Sequence, residues 1–390
     1  MEIRRKRRKL DARCTIPNDI IFDVLLKLPV KSLLRFKSVC RRWFNEISSP
    51  YFANSHLNQD RRSRQLLVIP ISERSPSAQT VSFYRYSEAE NVATLMLEKE
   101  LPGDEIVHLL VTYCDGLVLT FSRTNIFLCN PSTGELLTLP RGNPSQPLCE
   151  WSSDLVGFGL DPSTKRYKVV RMFYRWFDFK TRDYSIGCEV FEVGSQSWRS
   201  VEDPPFPVNE QYPVVLNNVL HWISEMDLCS EQAILTFHLH GEKFGVIRPP
   251  PVNFGSISVM YLMTDGHKLF FVEGNWQLNL TCIWMLKDEA SHTWVRMYSF
   301  RKEDSKPYIP LEIHGGEIFL STTKRLDCYD TRTDKTRTLL AIPKEMDNGS
   351  PSSKAYMGLL DGASSFRFTL YAESLVPLKR HLKCSRILCI

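Results

Sequence analysis

Long apolar runs are missing from this chain: nowhere among its 390 residues do eighteen apolar positions follow one another. The amino-terminal segment is charged rather than apolar. Neither a membrane-spanning helix nor a secretory leader is expected, and the chain reads as intracellular, in the nucleus or the cytoplasm. Cysteines at metal or redox spacing are missing as well. Eleven are scattered from Cys14 to Cys389 without a Cys-x-x-Cys pair, which fits reduced, mostly buried thiols rather than a disulfide framework. Catalytic signatures are absent too. No Walker phosphate loop, no GxGxxG behind a strand, no HExxH and no GxSxG elbow occurs, so neither enzymatic activity nor a cofactor is expected. His238 and His240 would share one face of a strand, but no cysteine or carboxylate set accompanies them. The expectation there is a solvent face, not a metal site.

What is present has the balance of a globular protein, with 43% hydrophobic and 24% charged residues. The length allows one small and one large domain. Charge is uneven. Residues 1–50 hold thirteen Lys and Arg against five Asp and Glu, a net +8 within the chain's +5, which leaves the other 340 residues at −3. Much of the excess is the run Arg4, Arg5, Lys6, Arg7, Arg8 and Lys9. Such a run can serve as a nuclear import signal, attract nucleic acid, or be a solvated tail.

A helical unit follows. Pro17, with Asn18 and Asp19 behind it, is a helix start, because the fixed φ of proline and the acidic charge both suit a helix N-terminus. Ile20, Ile21, Val24, Leu25 and Leu28 then form one broad apolar face until Pro29 stops the helix. A second short helix is expected over Lys31 to Phe36, burying Leu33 and Leu34, and a third over Lys37 to Ile47, carrying Val39, Cys40, Trp43 and Phe44. A turn, another short helix and a polar connector are expected between Ser48 and Gln65. Three helices in about thirty residues bury too little surface to stand alone, so this unit is expected to complete its core on a partner.

The run from Ile16-Pro17 through Leu28-Pro29-Val30-Lys31-Ser32-Leu33-Leu34-Arg35-Phe36-Lys37 to Val39-Cys40 and Trp43 resembles the F-box of plant F-box proteins almost position by position. It differs in carrying Ile16 where that family more often has Leu, a swap that keeps the apolar anchor. The resemblance implies docking on a Skp1-like adaptor and, through it, membership of a cullin-RING ubiquitin ligase. It also implies that Ile16, Pro17, Ile20, Leu33, Leu34, Val39, Cys40 and Trp43 divide between the small core and that interface.

Beyond residue 65 the helical period disappears. Five phrases of strand, turn and strand recur, around Gly134, Trp198, Glu242, Trp294 and Lys335, at spacings of 64, 44, 52 and 41. A second element, a turn announcing an apolar strand, begins at Cys114, Asn217, Asp265 and His314. An all-strand period in the forties to fifties points to propeller blades. The expected fold is mainly β with a small N-terminal α domain: three helices, then a β-propeller of six blades. Ring closure is expected between Leu66–Ile71 and Phe366–Glu373, because an open ring would expose long strand edges. The expected boundaries are a basic tail over 1–13, the helical domain over 14–58, a connector over 59–65, the propeller over 66–377 and a solvated tail over 378–390.

The phrases Cys129-Asn130-Pro131-Ser132-Thr133-Gly134, Gly157 through Arg171, Trp198-Arg199 and Tyr371-x-Glu373-Ser374-Leu375-Val376 resemble the F-box-associated interaction domain of plant F-box proteins. The architectural relatives are kelch and galactose-oxidase-like propellers, although repeated double glycines are lacking. The tryptophans at 198, 222, 284 and 294 match repeat positions and are read as blade packing. Between Tyr174 and Tyr184, aromatic residues alternate with charges of both signs. Tyr174, Arg175, Trp176, Phe177, Phe179 and Arg182 are the candidate target-binding residues, against the alternative of a plain longer hairpin.

The functional expectation is therefore a non-catalytic adaptor that holds an unidentified target protein beside a ubiquitin-charged enzyme. The alternatives are a nucleic-acid-binding regulator built on the basic helical region and a ligand-binding propeller. The apolar third helix argues against groove reading, so nucleic acid is not an expected partner, and neither is a membrane.

Overall fold

The computed structural model describes residues 16–60, 65–72, 80–87, 92–101, 112–121, 125–146, 155–209, 211, 213–225, 228–229, 231–252, 258–275, 277–301, 308–321, 325–341 and 363–378. Four helices come first: α1 (Asn18–Leu26), α2 (Val30–Phe36), α3 (Arg41–Ile47) and α4 (Pro50–Asp60). Pro17 and Pro29, both in extended conformation, stand immediately before α1 and α2. Their fixed φ admits a helix after them but not through them. The third helix is shorter than expected. Residues 37–39 form a turn, and Cys40 is extended, its sulfur accepting the Trp43 N–H at 3.5 Å. That bond supplies a partner for an N–H with none inside the helix, so α3 starts at Arg41. Leu25, Val30, Leu33, Ile47, Phe52 and Ala53 form the core of this unit, and Leu375, from the far end of the chain, completes it.

Among the described residues, twenty-four strands make six four-stranded antiparallel sheets, the blades of a propeller. Blade 1 joins β1 (Gln65–Ser72), β2 (Thr80–Ser87) and β3 (Val92–Glu100) to β24 (Ala363–Tyr371). Blade 2 holds β4 (Thr112–Cys114), β5 (Leu117–Phe121), β6 (Ile126–Asn130) and β7 (Glu135–Thr138). Blade 3 holds β8 (Leu155–Asp161), β9 (Arg166–Phe177), β10 (Tyr184–Glu192) and β11 (Arg199–Ser200). Blade 4 holds β12 (Val214–Leu216), β13 (Val219–Ile223), β14 (Ile234–His238) and β15 (Phe244–Ile247). Blade 5 holds β16 (Ser258–Thr264), β17 (Leu269–Asn275), β18 (Leu280–Asp288) and β19 (Thr293–Arg301). Blade 6 holds β20 (Ile309–His314), β21 (Glu317–Ser321), β22 (Arg325–Asp330) and β23 (Lys335–Ala341).

The expected hairpins are the third and fourth strands of blades 2 to 6. The turn-then-strand phrases join first to second strands in blades 2, 4, 5 and 6. Positive φ at Gly116, Asn217, Asn218, Gly266, Gly315 and Gly316 explains the residue types at those turns. Closure is as expected: β1 runs antiparallel to β24, in register from Gln65 with Tyr371 to Ile71 with Ser365. Blade 1 thus takes one strand from the end of the chain and three from its start.

The core lies between blades as well as within them, in apolar clusters that join each sheet to its neighbour. Trp222 is fully buried in one of these. Trp198 and Trp294 donate their indole N–H groups to the carbonyls of Pro140 and Arg248 on the preceding blades, at 2.7 and 2.8 Å. These are equivalent stitches, and they explain why the tryptophans recur with the repeat.

Antiparallel pairing sorts the connections onto two faces. First-to-second and third-to-fourth turns share one face with the start of β1 and the end of β24, and hence with the helices. The remaining connections lie on the opposite, distal face.

Candidate functional site

On the helical unit the side chains divide sharply. Leu33 is fully buried in the core, while Ile16, Ile20 and Val39, with relative exposures of 62%, 51% and 59%, are open to solvent. Pro17 and Cys40 are also exposed, and Leu34 and Trp43 are half-buried, Trp43 tilted against Phe36 at 5.3 Å. Val24, Phe44 and Tyr51 are exposed apolar residues that the candidate set omits. Val24 was legible in principle, since it lies one turn from Ile20 on α1. So many exposed apolar side chains on so small a domain are what a protein interface requires.

Where the helices meet the propeller, the last residues of the chain's described part act as a tie. The Glu373 carboxylate, which is buried, accepts the Val30 N–H at 2.9 Å through one oxygen and the Arg85 guanidinium at 2.8 Å through the other. The Asn130 amide donates to the carbonyls of Ser374 and Val376, both at 3.0 Å. Ser132 Oγ accepts the Ser374 N–H at 3.2 Å, and Glu135 accepts the Leu378 N–H at 2.9 Å. Gly116 has no room for a Cβ beside Ser374. The Asn130–Gly134 and Tyr371–Val376 phrases are therefore partners of each other, and their turn chemistry serves this contact.

On the distal face, the 174–184 segment is the end of a long hairpin rather than a loop. Beyond Met172, the last residue paired to β8 among the described residues, β9 continues for five residues alongside β10, a reach of about 16 Å at the usual strand rise. The arm is internally braced. Gln146 bonds both the N–H and the carbonyl of Phe177 and donates its own N–H to the Tyr174 carbonyl. Arg175 forms a fork with Asp203 at 2.7 and 2.9 Å. At the tip Asp178 accepts the N–H groups of Lys180 and Thr181, and Arg182 takes a positive φ. Tyr174 is buried, Phe177 is half-buried, and Trp176 and Phe179 are exposed, the Phe177 and Phe179 rings meeting edge-on at 5.0 Å.

The buried charges elsewhere serve the blades. Lys168 bridges Asp161 and Glu242, both at 2.9 Å, and Arg199 holds the other Glu242 oxygen at 2.5 Å. Burial opposes ionisation of Asp161, yet hydrogen bonds from Lys168 and Ser163 hold its carboxyl well below the usual range. Arg171 and Glu189 form a buried pair that also ties down Asn143. His240 lies in the turn after β14, not on the strand with His238, and its Nδ1 is 3.4 Å from Asp161. Among the described residues no group of His, Cys, Asp and Glu could hold a metal ion. The described cysteines are free, and burial pushes the Cys129 thiol up to about 12, which keeps it protonated and unreactive. No described helix is long and apolar enough to cross a membrane. The basic run from Arg4 to Lys9 lies outside the described residues.

A small helical domain with exposed apolar side chains is thus tied to the closing seam of a six-bladed propeller. Residues 14–54 match the F-box domain model and residues 77–378 match the F-box associated beta propeller domain model. The chain belongs to the F-box proteins that carry this propeller. F-box protein At5g49610 of Arabidopsis thaliana is 28% identical over 91% of this chain and 96% of its own length. F-box protein At5g10340 of the same plant is 28% identical over 73% of this chain and 68% of its own, and putative F-box protein At3g10430 is 32% identical over 61% and 62%. Among solved structures, an oligogalacturonate lyase in complex with manganese aligns at a TM-score of 0.42 with 9% identity, covering 74% of this chain and 83% of its own, a likeness too slight to bear on function.

Proposed function

We propose that this chain is the substrate-recognition subunit of a Skp1–cullin–F-box ubiquitin ligase. The observation that carries this reading is that Ile16, Ile20, Val24, Val39 and Phe44 are all solvent-exposed apolar side chains on a domain that matches the F-box. A Skp1-like adaptor covering those side chains would bring the propeller to a cullin-RING assembly. No bond-making residue of this chain is required. Its contribution is proximity, since a target held near a charged enzyme reacts as though at high local concentration.

The target protein sits, in this reading, on the distal face, away from the adaptor. The β9–β10 arm is its first contact, with Trp176 and Phe179 as apolar anchors and Arg175, held by Asp203, as a brace. Bracing by Gln146 lowers the entropy lost on binding. The basic run from Arg4 to Lys9 is proposed as a nuclear import signal, which would place the ligase in the nucleus as well as the cytoplasm.

Co-purification of the full chain with a Skp1-like adaptor, beside an Ile20→Asp, Val39→Asp double variant of the same chain, tests the reading. Capture of the parent and loss of the variant are expected. Equal capture of both would remove Ile20 and Val39 from the interface.

A further inference from the structure

We propose that Glu373 and Leu375 are positioning residues that make adaptor docking and propeller closure a single equilibrium; the proposal rests on the adaptor reading above.

The residues that close the ring and the residues that finish the F-box core are one continuous segment. β24 supplies the strand against which β1 is paired, so the ring cannot open without releasing it. Four residues beyond its end, Leu375 is buried among Leu25, Val30, Leu33, Ile47 and Phe52 of the helical unit. Between the two, Glu373 spans from the Val30 N–H of α2 to Arg85 of β2, a contact between positions 343 apart in the chain. The segment has no slack to absorb a shift, because Asn130, Ser132 and Glu135 hold its backbone and Gly116 packs against Ser374. Opening blade 1 therefore pulls Leu375 out of the F-box core, and loosening that core frees the end of β24.

The adaptor-facing side chains lie on the same helices. Ile20 and Val24 share α1 with Leu25, and Phe44 shares α3 with Ile47. A partner that binds these side chains only when the helices are packed stabilises the packed state by mass action. Because linkage is reciprocal, the propeller's closure in turn favours adaptor binding. Holding the two units as one body also fixes the direction in which the distal face presents a target.

The test is backbone hydrogen exchange of the full-length chain, followed by mass spectrometry, with and without purified Skp1-like adaptor at about 100 times its Kd. Where exchange at β1 goes through the shared opening, adaptor should slow it by up to about 100-fold. β14, on the far side of the ring, should change much less. Leu375→Ala and, as a milder variant that keeps the fold, Glu373→Gln should still bind adaptor but lose most of the adaptor-dependent slowing at β1. Val81→Ala, which weakens the blade 1 core but changes none of the residues bonded to Glu373 or packed on Leu375, should speed exchange overall and keep the slowing. That control separates coupling from plain stability. Adaptor binding with unchanged β1 exchange in the parent chain, or slowing retained in both tie variants, overturns the proposal. Failure of the folded parent to bind adaptor overturns the adaptor reading and this proposal with it.

Discussion

Replacing Ile20 and replacing Leu33 should have opposite consequences, although both belong to the same apolar pattern. Ile20 is half-exposed on α1 and Leu33 is fully buried. Ile20→Asp places a carboxylate in water, so stability should move by no more than about 0.5 kcal/mol. Under a docked adaptor the same change loses about 1 kcal/mol of apolar burial for the exposed half of the side chain. It also leaves an unpaired carboxylate desolvated, at a further cost of several kcal/mol. The sum is at least about 3 kcal/mol, or more than about 100-fold in Kd. Leu33→Ala instead leaves a cavity beside Phe52, Ile47 and Leu375 and should cost about 2–5 kcal/mol of stability. Thermal unfolding and the anisotropy of a fluorescent Skp1-like adaptor measure the two quantities separately. An Ile20→Asp chain with parental Kd would refute the assignment of α1 to the interface, and a Leu33→Ala chain with parental stability would refute the assignment of Leu33 to the core.

Three further outcomes follow from other parts of the fold. Burial lowers the pKa of His221 to about 4, with its Nδ1 facing the Val214 carbonyl at 3.2 Å. The neutral ring is the folded form, so its contribution is complete above the unfolded value near 6.5 and is lost as pH falls from there toward 4, about 3 kcal/mol in all. Urea unfolding of the parent and His221→Gln between pH 7 and pH 4 checks this, since the variant should show a shallower decline. Lys168→Met should strand the Asp161 carboxylate, which is inaccessible to solvent, and destabilise the chain by about 3 kcal/mol in denaturant titration; an unchanged midpoint would show that His240 and the Ser163 N–H suffice. Once a target is known, Trp176→Ala should weaken it by about 30-fold or more without moving the melting temperature, and a parental Kd would remove the arm from the contact.

Much of the propeller was legible because its turns need particular residues. Glycine or asparagine at positive φ marks where one strand gives way to the next, and four such turns and five hairpins place most strands. Closure was legible for a different reason, since a ring left open would expose long strand edges. The sides of the short helices were not. With Pro29 and the turn at 37–39 resetting the helical phase, periodicity does not say whether Ile20 or Leu33 faces inward. The sequence left the 174–184 segment between a recognition segment and a longer hairpin; the hairpin forms, because Tyr174, Trp176 and Phe177 prolong the strand, as aromatic side chains do. The role of Leu375 lay out of reach, since nothing local in a strand-end phrase signals that its leucine finishes a helical core at the other end of the chain.

The most direct test of the central claim is a calorimetric titration of the full-length chain with a purified Skp1-like adaptor. The account predicts a saturable one-to-one complex whose formation depends on the exposed apolar side chains of α1 and α3. A folded chain that takes up no adaptor would contradict it, leaving a propeller that bears an F-box in sequence but does not use it.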